Sequence, residues 1–517
     1  MKPISLIKGF VTVGAWTLMS RLLGFVRDIM IAAFLGAGPV AEAFLIAFSL
    51  PNMFRRFFAE GAFNMAFIPM FSKKLETEDA PEDFAQDAFS ALALLLTAFT
   101  ALGVIFMPGL VWLMASGFAG DARFDLATAY GRVAFPYILF ISLSALISGV
   151  LNANGRFLAA AAAPVLLNVI FVGAMIGSVL GGAGSEHQIG RTLAWAVPVG
   201  GIAQLGLVWI AARRIGYRFR PRMPKLTPDL KRLAIIAAPA ALAGGVVQVN
   251  LLIGRQVASF FDGAVAWLSY ADRLYQLPLG VVGIAIGVVL LPDLSRRLGA
   301  GDADGGRDAF NRAGELTLIL TIPAAVALIA IPQPLVSVLF QRGEFTSDDA
   351  AATALAVAVY GMGLPAFVLQ KVYQPLYFAR EDTRRPFYFA VVAMVVNAVV
   401  AIGLAMQIGY LGAAFGTTIA GWAMFALLWA GSRGMGDAAR TDSRFRRRLP
   451  RILAAALIMG IIVWLAAAAL NLLLGAPTIR YAALALLVMI GIVSYFGIGQ
   501  LIGAFHISEF RRAVRRG

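Results

Sequence analysis

The stretch SRLLGFVRDIM, residues 20–30, sits in the middle of an apolar segment running from about Phe10 to Phe34. A segment of that length, wound as a helix at about 1.5 Å per residue, spans a hydrocarbon core about 30 Å thick. It nevertheless carries Arg21, Arg27 and Asp28. An arginine at the centre of a bilayer costs about 2.5–3.5 kcal/mol on insertion scales, so such charges normally face water, a counter-charge or a ligand. Arg21, Gly24 and Asp28 share a helix face by i, i+3, i+7 spacing, whereas Arg27 lies about 120° from Arg21. A narrow stripe cannot hold all three, but a broad water-filled wall can.

The whole chain has this character. Of its 517 residues, 60% are hydrophobic and 14% charged, and the mean hydropathy is +0.81, far above that of a soluble globular protein. Apolar runs recur from end to end without the ten-residue alternation of a barrel. The expected fold class is therefore an all-α polytopic membrane protein. Fourteen transmembrane helices are expected, at about 10–35, 40–70, 89–115, 126–151, 157–183, 191–212, 233–260, 267–294, 313–337, 350–377, 386–407, 410–432, 451–474 and 480–503, the eighth broken by Pro278. The first is read as a retained helix, since its apolar run is too long and too charged for a cleaved signal peptide. No cysteine is present, which removes disulfides and thiolate metal sites, and His187 and His506 fall in expected loops.

Orientation follows from Lys and Arg. With the N-terminus in the cytoplasm, the cytoplasmic segments collect 31 of the 43 basic residues, eight of them in RRIGYRFRPRMPKLTPDLKR at 213–232. The opposite side receives Arg123, Arg191, Arg342 and Arg480. Both termini are therefore expected inside. The net charge of +15 needs no nucleic-acid partner, because basic loops face anionic membrane lipids.

FIPMFSKKL at 67–75 is echoed by LLPDLSRRL at 290–298, LLNV at 166–169 by VVNA at 395–398, and Pro136 by Pro365, all at nearly constant offset. The order and spacing suggest two copies of a six-span unit. Six is even, so the copies enter the membrane in the same sense and form two parallel lobes around a central cavity. The expected division is 1–215 for the first lobe, 216–232 for a basic cytoplasmic linker and 233–432 for the second lobe. A basic cytoplasmic loop at 433–450, two extra C-terminal helices at 451–505 and a basic tail at 506–517 complete it.

Further charges lie inside the spans. PNMFRRFFAEGAFN carries Arg55 and Arg56, with Arg56 four residues before Glu60, a helix-pair spacing, and Pro51 as a kink point. YADRLYQLP carries Asp272 and Arg273, and span 7 offers Gln248, Asn250, Arg255 and Gln256 as the lining of a conduit. Arg132 and Arg255 are near span ends, where snorkelling is an alternative. Acids well inside spans are Asp28, Glu42, Glu60 and Asp272. Arginine prevails, and its permanently charged fork suits phosphate oxygens, which points to an anionic, phosphorylated cargo. No GxxxxGK[ST], HExxH or GxSxG motif occurs, so neither catalysis nor a cofactor is expected.

SRLLGFVRD, LPNMFRRFFAEGAF, FIPMFSKKL, YADRLYQLPLG and LLPDLSRRL together resemble the MurJ/MviN-type lipid II flippases of the multidrug/oligosaccharidyl-lipid/polysaccharide exporter superfamily, over essentially the whole chain. The resemblance implies a protein of the bacterial inner membrane that flips undecaprenyl-pyrophosphate-linked disaccharide-pentapeptide, lipid II, from the inner to the outer leaflet by alternating access, for peptidoglycan synthesis. It implies that Arg21, Arg27, Arg55, Arg56 and Arg273 are cavity arginines that bind the pyrophosphate, with Asp28 in the first motif and Glu42 where relatives often have Asp. Glu60 and Arg255 are further candidate substrate-binding residues. It further implies a groove for the polyprenyl tail on spans 13 and 14. Some relatives bind sodium through acids; here Gly254 and Ala401 stand where carboxylates are sought, leaving Asn397 and Thr417 as neutral candidates. Gln276 replaces a common acid on span 8. The alternative on the same scaffold is an exporter of another polyprenyl-linked glycan or anionic amphiphile; a scaffold recruiting cell-wall synthesis proteins would leave Arg21 and Arg27 unexplained.

Overall fold

A computed structural model describes residues 6–56, 62–77, 79–182 and 184–506, which are helical almost throughout and contain no strand. The helices are α1 (Leu6–Leu35), α2 (Pro39–Arg55), α3 (Ala62–Thr77), α4 (Pro81–Ile105), α5 (Met107–Met114), α6 (Ala122–Ala134), α7 (Tyr137–Ala153), α8 (Phe157–Leu180), α9 (Glu186–Arg214) and α10 (Pro228–Ala258). They continue with α11 (Ala264–Gly299), α12 (Ala303–Ala330), α13 (Pro332–Phe340), α14 (Ser347–Phe378), α15 (Arg384–Ile408), α16 (Leu411–Ser432), α17 (Ser443–Ala469), α18 (Asn471–Gly475) and α19 (Arg480–Leu501).

Their starts follow local chemistry. Asp121, Ser185, Thr227, Asp302, Thr346 and Asp442 each accept a backbone N–H with the side chain at the start of a helix. Proline occupies the first positions of α2, α4, α5, α10 and α13, where its missing N–H costs nothing.

Among the described residues, ten helical segments are long and apolar enough to cross a membrane. The other four expected spans coincide with α1, with α2 and α3 together, with α10 and with α11. Several expected spans are subdivided: the third into α4 and α5, the fourth into α6 and α7 at Pro136, the ninth into α12 and α13 before Pro332. The break expected at Pro278 does not occur. Helix α11 runs through both Pro278 and Pro292, because the single bond each ring removes is outweighed by the bonded turns on either side.

The chain divides into two compact units, 1–266 and 267–517. In the first, α8 packs on α1 and α9, α2 on α6, α7 on α9, and α10 on α3. Phenylalanines fill the seams: Phe54, Phe99 and Phe135 meet with ring centroids 5.0–5.9 Å apart. The basic linker is partly strapped down. The Gln86 side chain donates to the Arg220 carbonyl at 2.7 Å and accepts its N–H at 2.9 Å, while Asp87 pairs with Arg222 at 2.7 Å. Gly117 lies so close to the main chain of Ser259 that a Cβ would sit 2.5 Å from its carbonyl, so only glycine fits.

In the second unit, α16 packs on α14 and α15, and α12 on α14 and α17. A buried cluster including Leu318, Ile319, Ile452, Met459 and Leu487 fastens α17 and α19 to α12. The Tyr495 hydroxyl closes that seam with a 2.7 Å bond to the Ile319 carbonyl. Leu180, Met406, Leu465 and Val493 are exposed on helix faces. Such faces suit a solvent of acyl chains, where every backbone polar group is already bonded within its helix.

Candidate functional site

The charges of the opening stretch separate. Arg21 is exposed, whereas Arg27 and Asp28 are buried. The Arg27 guanidinium donates through Nε and Nη2 to Asp28 Oδ1 at 3.0 and 2.8 Å, and through Nη1 to Asn168 Oδ1 on α8 at 2.9 Å. Its face lies 5.6 Å from the Phe48 ring centroid and 5.5 Å from that of Phe171. Asn168 in turn donates to the Ser20 carbonyl at 3.0 Å, so one amide joins α8 to two points of α1. Adjacent residues on a helix do not normally face each other. Here the long arginine stem folds back, and aromatic rings with an amide hold it there. Replacing water by an acid, an amide oxygen and two π-faces is what lets the charge remain in an apolar segment.

Glu42, buried on α2, accepts from Arg123 at 2.9 Å and from the Val265 N–H at 3.0 Å. Arg123 also pairs with Asp121 at 2.6 Å and Asp262 at 2.9 Å, and its guanidinium covers Phe118. Within the first unit this network ties the start of α2 to the start of α6 and to the turn leading into α11. Glu42 therefore meets a permanent protein cation. Burial pushes the Asp121 carboxyl up, but the Arg123 amide and guanidinium outweigh it and hold it below its ordinary value.

Arg55 is half-buried in the last turn of α2, where a cation suits the helix dipole, and Arg56 is exposed just beyond it. Glu60 lies outside the described residues. Arg255 is half-buried in the last turn of α10. Its neighbour Gln256, expected to line a conduit, instead brackets Ser116, accepting its N–H and donating to its hydroxyl, each at 2.8 Å. In the second unit Arg273 is exposed on α11, and Asp272 accepts from Gln276 one turn on. Asn397 is buried on α15, and Thr417 on α16 donates to the Ala413 carbonyl at 3.1 Å. Among the described residues no three His, Cys, Asp or Glu side chains gather as a metal site.

Sequence reasoning missed a second charge centre. Glu315, buried on α12, receives Arg312, Arg444 at 3.3 Å and Arg448, and Arg312 also reaches Asp442. The i, i+3 spacing of Arg312 and Glu315 and the i, i+4 spacing of Arg444 and Arg448 were its signals; that the two pairs meet follows from packing.

A family model described as lipid II flippase MurJ matches residues 31–483. The chain belongs to the MurJ family. It is 43% identical to a probable lipid II flippase MurJ of Rhizobium meliloti over 99% of this chain and 97% of that protein. To the lipid II flippase MurJ of Burkholderia cenocepacia it is 32% identical, over 99% of this chain and all of that one. Among solved structures, a lipid II flippase MurJ in an inward closed conformation is similar with a TM-score of 0.78 at 24% identity, covering 95% of this chain and 98% of that one. An inward-facing MATE family transporter is similar with a TM-score of 0.68 at 15% identity, over 84% and 99% of the two chains. The last two likenesses show the fold: a MurJ chain shares its helical scaffold with transporters of other cargo.

Proposed function

We propose that this chain is a lipid II flippase: it moves the undecaprenyl-pyrophosphate-linked disaccharide-pentapeptide from the inner to the outer leaflet of the bacterial cytoplasmic membrane, supplying peptidoglycan synthesis. The carrying observation is full-length membership of the MurJ family. In this reading the chain makes fourteen spans with both termini in the cytoplasm, arranged as two parallel six-span lobes and an added C-terminal pair that receives the polyprenyl tail.

Arg21, Arg55, Arg56 and Arg273 supply donors for the pyrophosphate, and the braced pair of Arg27 and Asp28 sets the charge beside them. Arg255 adds positive charge at the end of α10. Glu42 acts through Arg123, holding the first turns of α2 and α11 in register, and Glu60, four positions after Arg56 in the sequence, belongs to the same reading. Guanidinium groups fit because each offers paired N–H donors to two oxygens of a phosphate and stays charged at any cellular pH. The lobes alternate between inward and outward access while the tail stays in lipid. An inside-negative potential favours outward movement of an anion by about 2.3 kcal/mol per charge per 100 mV, so export needs no nucleotide. A sodium ion at Asn397 and Thr417, and contacts with cell-wall synthesis proteins, are additions this mechanism does not require.

The test is lipid II translocation by the purified protein in proteoliposomes. The wild type flips lipid II, and Arg273→Ala, inserted normally, loses at least about tenfold of the rate, as expected when a charge-assisted bond worth about 1.5–3 kcal/mol is removed. Undiminished translocation by Arg273→Ala, or transport of a different polyprenyl-linked glycan in preference to lipid II, defeats the proposal.

A further inference from the structure

Positive charge is scarce on the side of the sequence that the orientation above places outside, and two of its four basic residues come together. Arg342 follows α13 and Arg480 opens α19, both in the second unit. Their guanidinium groups lie 5.6 and 5.2 Å from the ring centroid of the same residue, Tyr481. Both are tied to neutral acceptors: Arg342 Nη2 donates to the Val338 carbonyl at 2.9 Å and to that of Leu339, and Arg480 Nη1 to the Gln341 carbonyl at 3.2 Å. Among the described residues neither makes a salt bridge, and the Nε of each is buried without a partner. Arg123 on the same side is, by contrast, matched to three carboxylates.

Two like charges held against one ring without a counter-ion repel each other, and burial, joined by the Arg480 charge and opposed by Tyr481, pushes the Arg342 pKa below its ordinary value. Folding has nevertheless fixed both, through the C-terminal carbonyls of α13 and the first turn of α19. The amides of that first turn add the positive end of a 22-residue helix. Ile479 and Tyr481 beside Arg480 are exposed, at 43% and 47%, as is Leu472, at 87%, on α18, which packs on α13 and α19. An aromatic ring among bare aliphatic side chains is what the level of the lipid headgroups selects.

We infer that Arg342 and Arg480 form a binding site for the phosphate of a membrane lipid at the outer end of the α17 and α19 pair. Paired guanidinium groups match phosphate oxygens, and the apolar rim gives a lipid an advantage that free phosphate lacks. The lipid is either the diphosphate of a polyprenyl carrier or the headgroup of a bulk anionic phospholipid. The inference rests on the membrane orientation proposed above, and not on the identity of the cargo.

Native mass spectrometry of the purified full chain tests it, with undecaprenyl diphosphate, phosphatidylglycerol and inorganic phosphate as separate probes. Arg342→Gln/Arg480→Gln is expected to weaken at least one of the two lipids by about tenfold, the scale of one lost charge-assisted bond. Since both arginines also cap α13, Thr478→Glu is the second variant; it places a carboxylate two residues from Arg480 without touching the caps and is expected to weaken the same lipid. Loss with undecaprenyl diphosphate assigns the site to the carrier, loss with phosphatidylglycerol to bulk lipid, and either supports the inference. Unchanged binding of both lipids in the two variants, or inorganic phosphate binding as tightly as the lipids, overturns it. The same loss is expected in an Arg273→Gln background, where the pyrophosphate donors proposed above are already weakened, so failure of the translocation reading and failure of the outer site register on different variants.

Discussion

Arg27 and Asn168, 141 positions apart, are joined by a 2.9 Å hydrogen bond that fastens α1 to α8 beside two phenylalanine rings. The bond makes an amide on one helix responsible for where a charge on another helix points. Asn168→Leu is therefore expected to keep the protein inserted and folded but to lower lipid II translocation by about tenfold or more, because a buried guanidinium left short of an acceptor costs about 1–3 kcal/mol and finds another position. Asn168→Asp, which retains the acceptor, should restore much of the rate. Normal transport by Asn168→Leu in proteoliposomes would show that the brace is dispensable.

Glu42 and Arg123 form a buried pair, and the cost of breaking one depends on what is left behind. Glu42→Ala strands a guanidinium and should lower stability by about 3–5 kcal/mol, partly relieved by Asp121 and Asp262. Glu42→Ala combined with Arg123→Met removes both charges and should be less damaging than the single change. Thermal unfolding in detergent gives the comparison; a double variant less stable than Glu42→Ala contradicts it.

The Glu315 cluster makes a local rather than a global prediction. Glu315→Gln leaves Arg312, Arg444 and Arg448 facing one another across the seam of α12 and α17. Faster hydrogen exchange in residues 443–460 is expected, with the first unit unaffected. Equal protection throughout would mean that the hydrophobic cluster alone holds α17.

Asp121 supplies the pH dependence. Its carboxyl is held below the ordinary value of 3.8, so its stabilising bonds to Arg123 are complete above that value and disappear as the pH falls through the lower, folded one. The wild type should therefore lose thermal stability as the pH falls below about 4 more steeply than Asp121→Asn. Parallel melting curves for the two would remove Asp121 from the account.

Much of the molecule was readable before any coordinate. The apolar runs announced helices in a membrane, because backbone polar groups in lipid have no partners except those of their own helix. The motifs around Arg21, Arg27, Arg55 and Arg273 announced the family. Helix starts were placed only to within a few residues: the spans expected from about 191 and 350 begin at Glu186 and Ser347, where the Ser185 and Thr346 caps set them.

Relationships between distant residues were not legible. Nothing near Arg27 indicates that Asn168 and two phenylalanines will enclose it, and nothing near Glu42 announces Arg123 or the Val265 amide. The pair of Arg342 and Arg480 was visible only as a scarcity of charge until Tyr481 brought both into one place. Helix formation and membrane insertion are set by short windows of chain, through hydrogen bonds four residues long and the transfer of apolar surface. Which charge meets which acceptor depends on how whole helices pack, and only the packed chain specifies that.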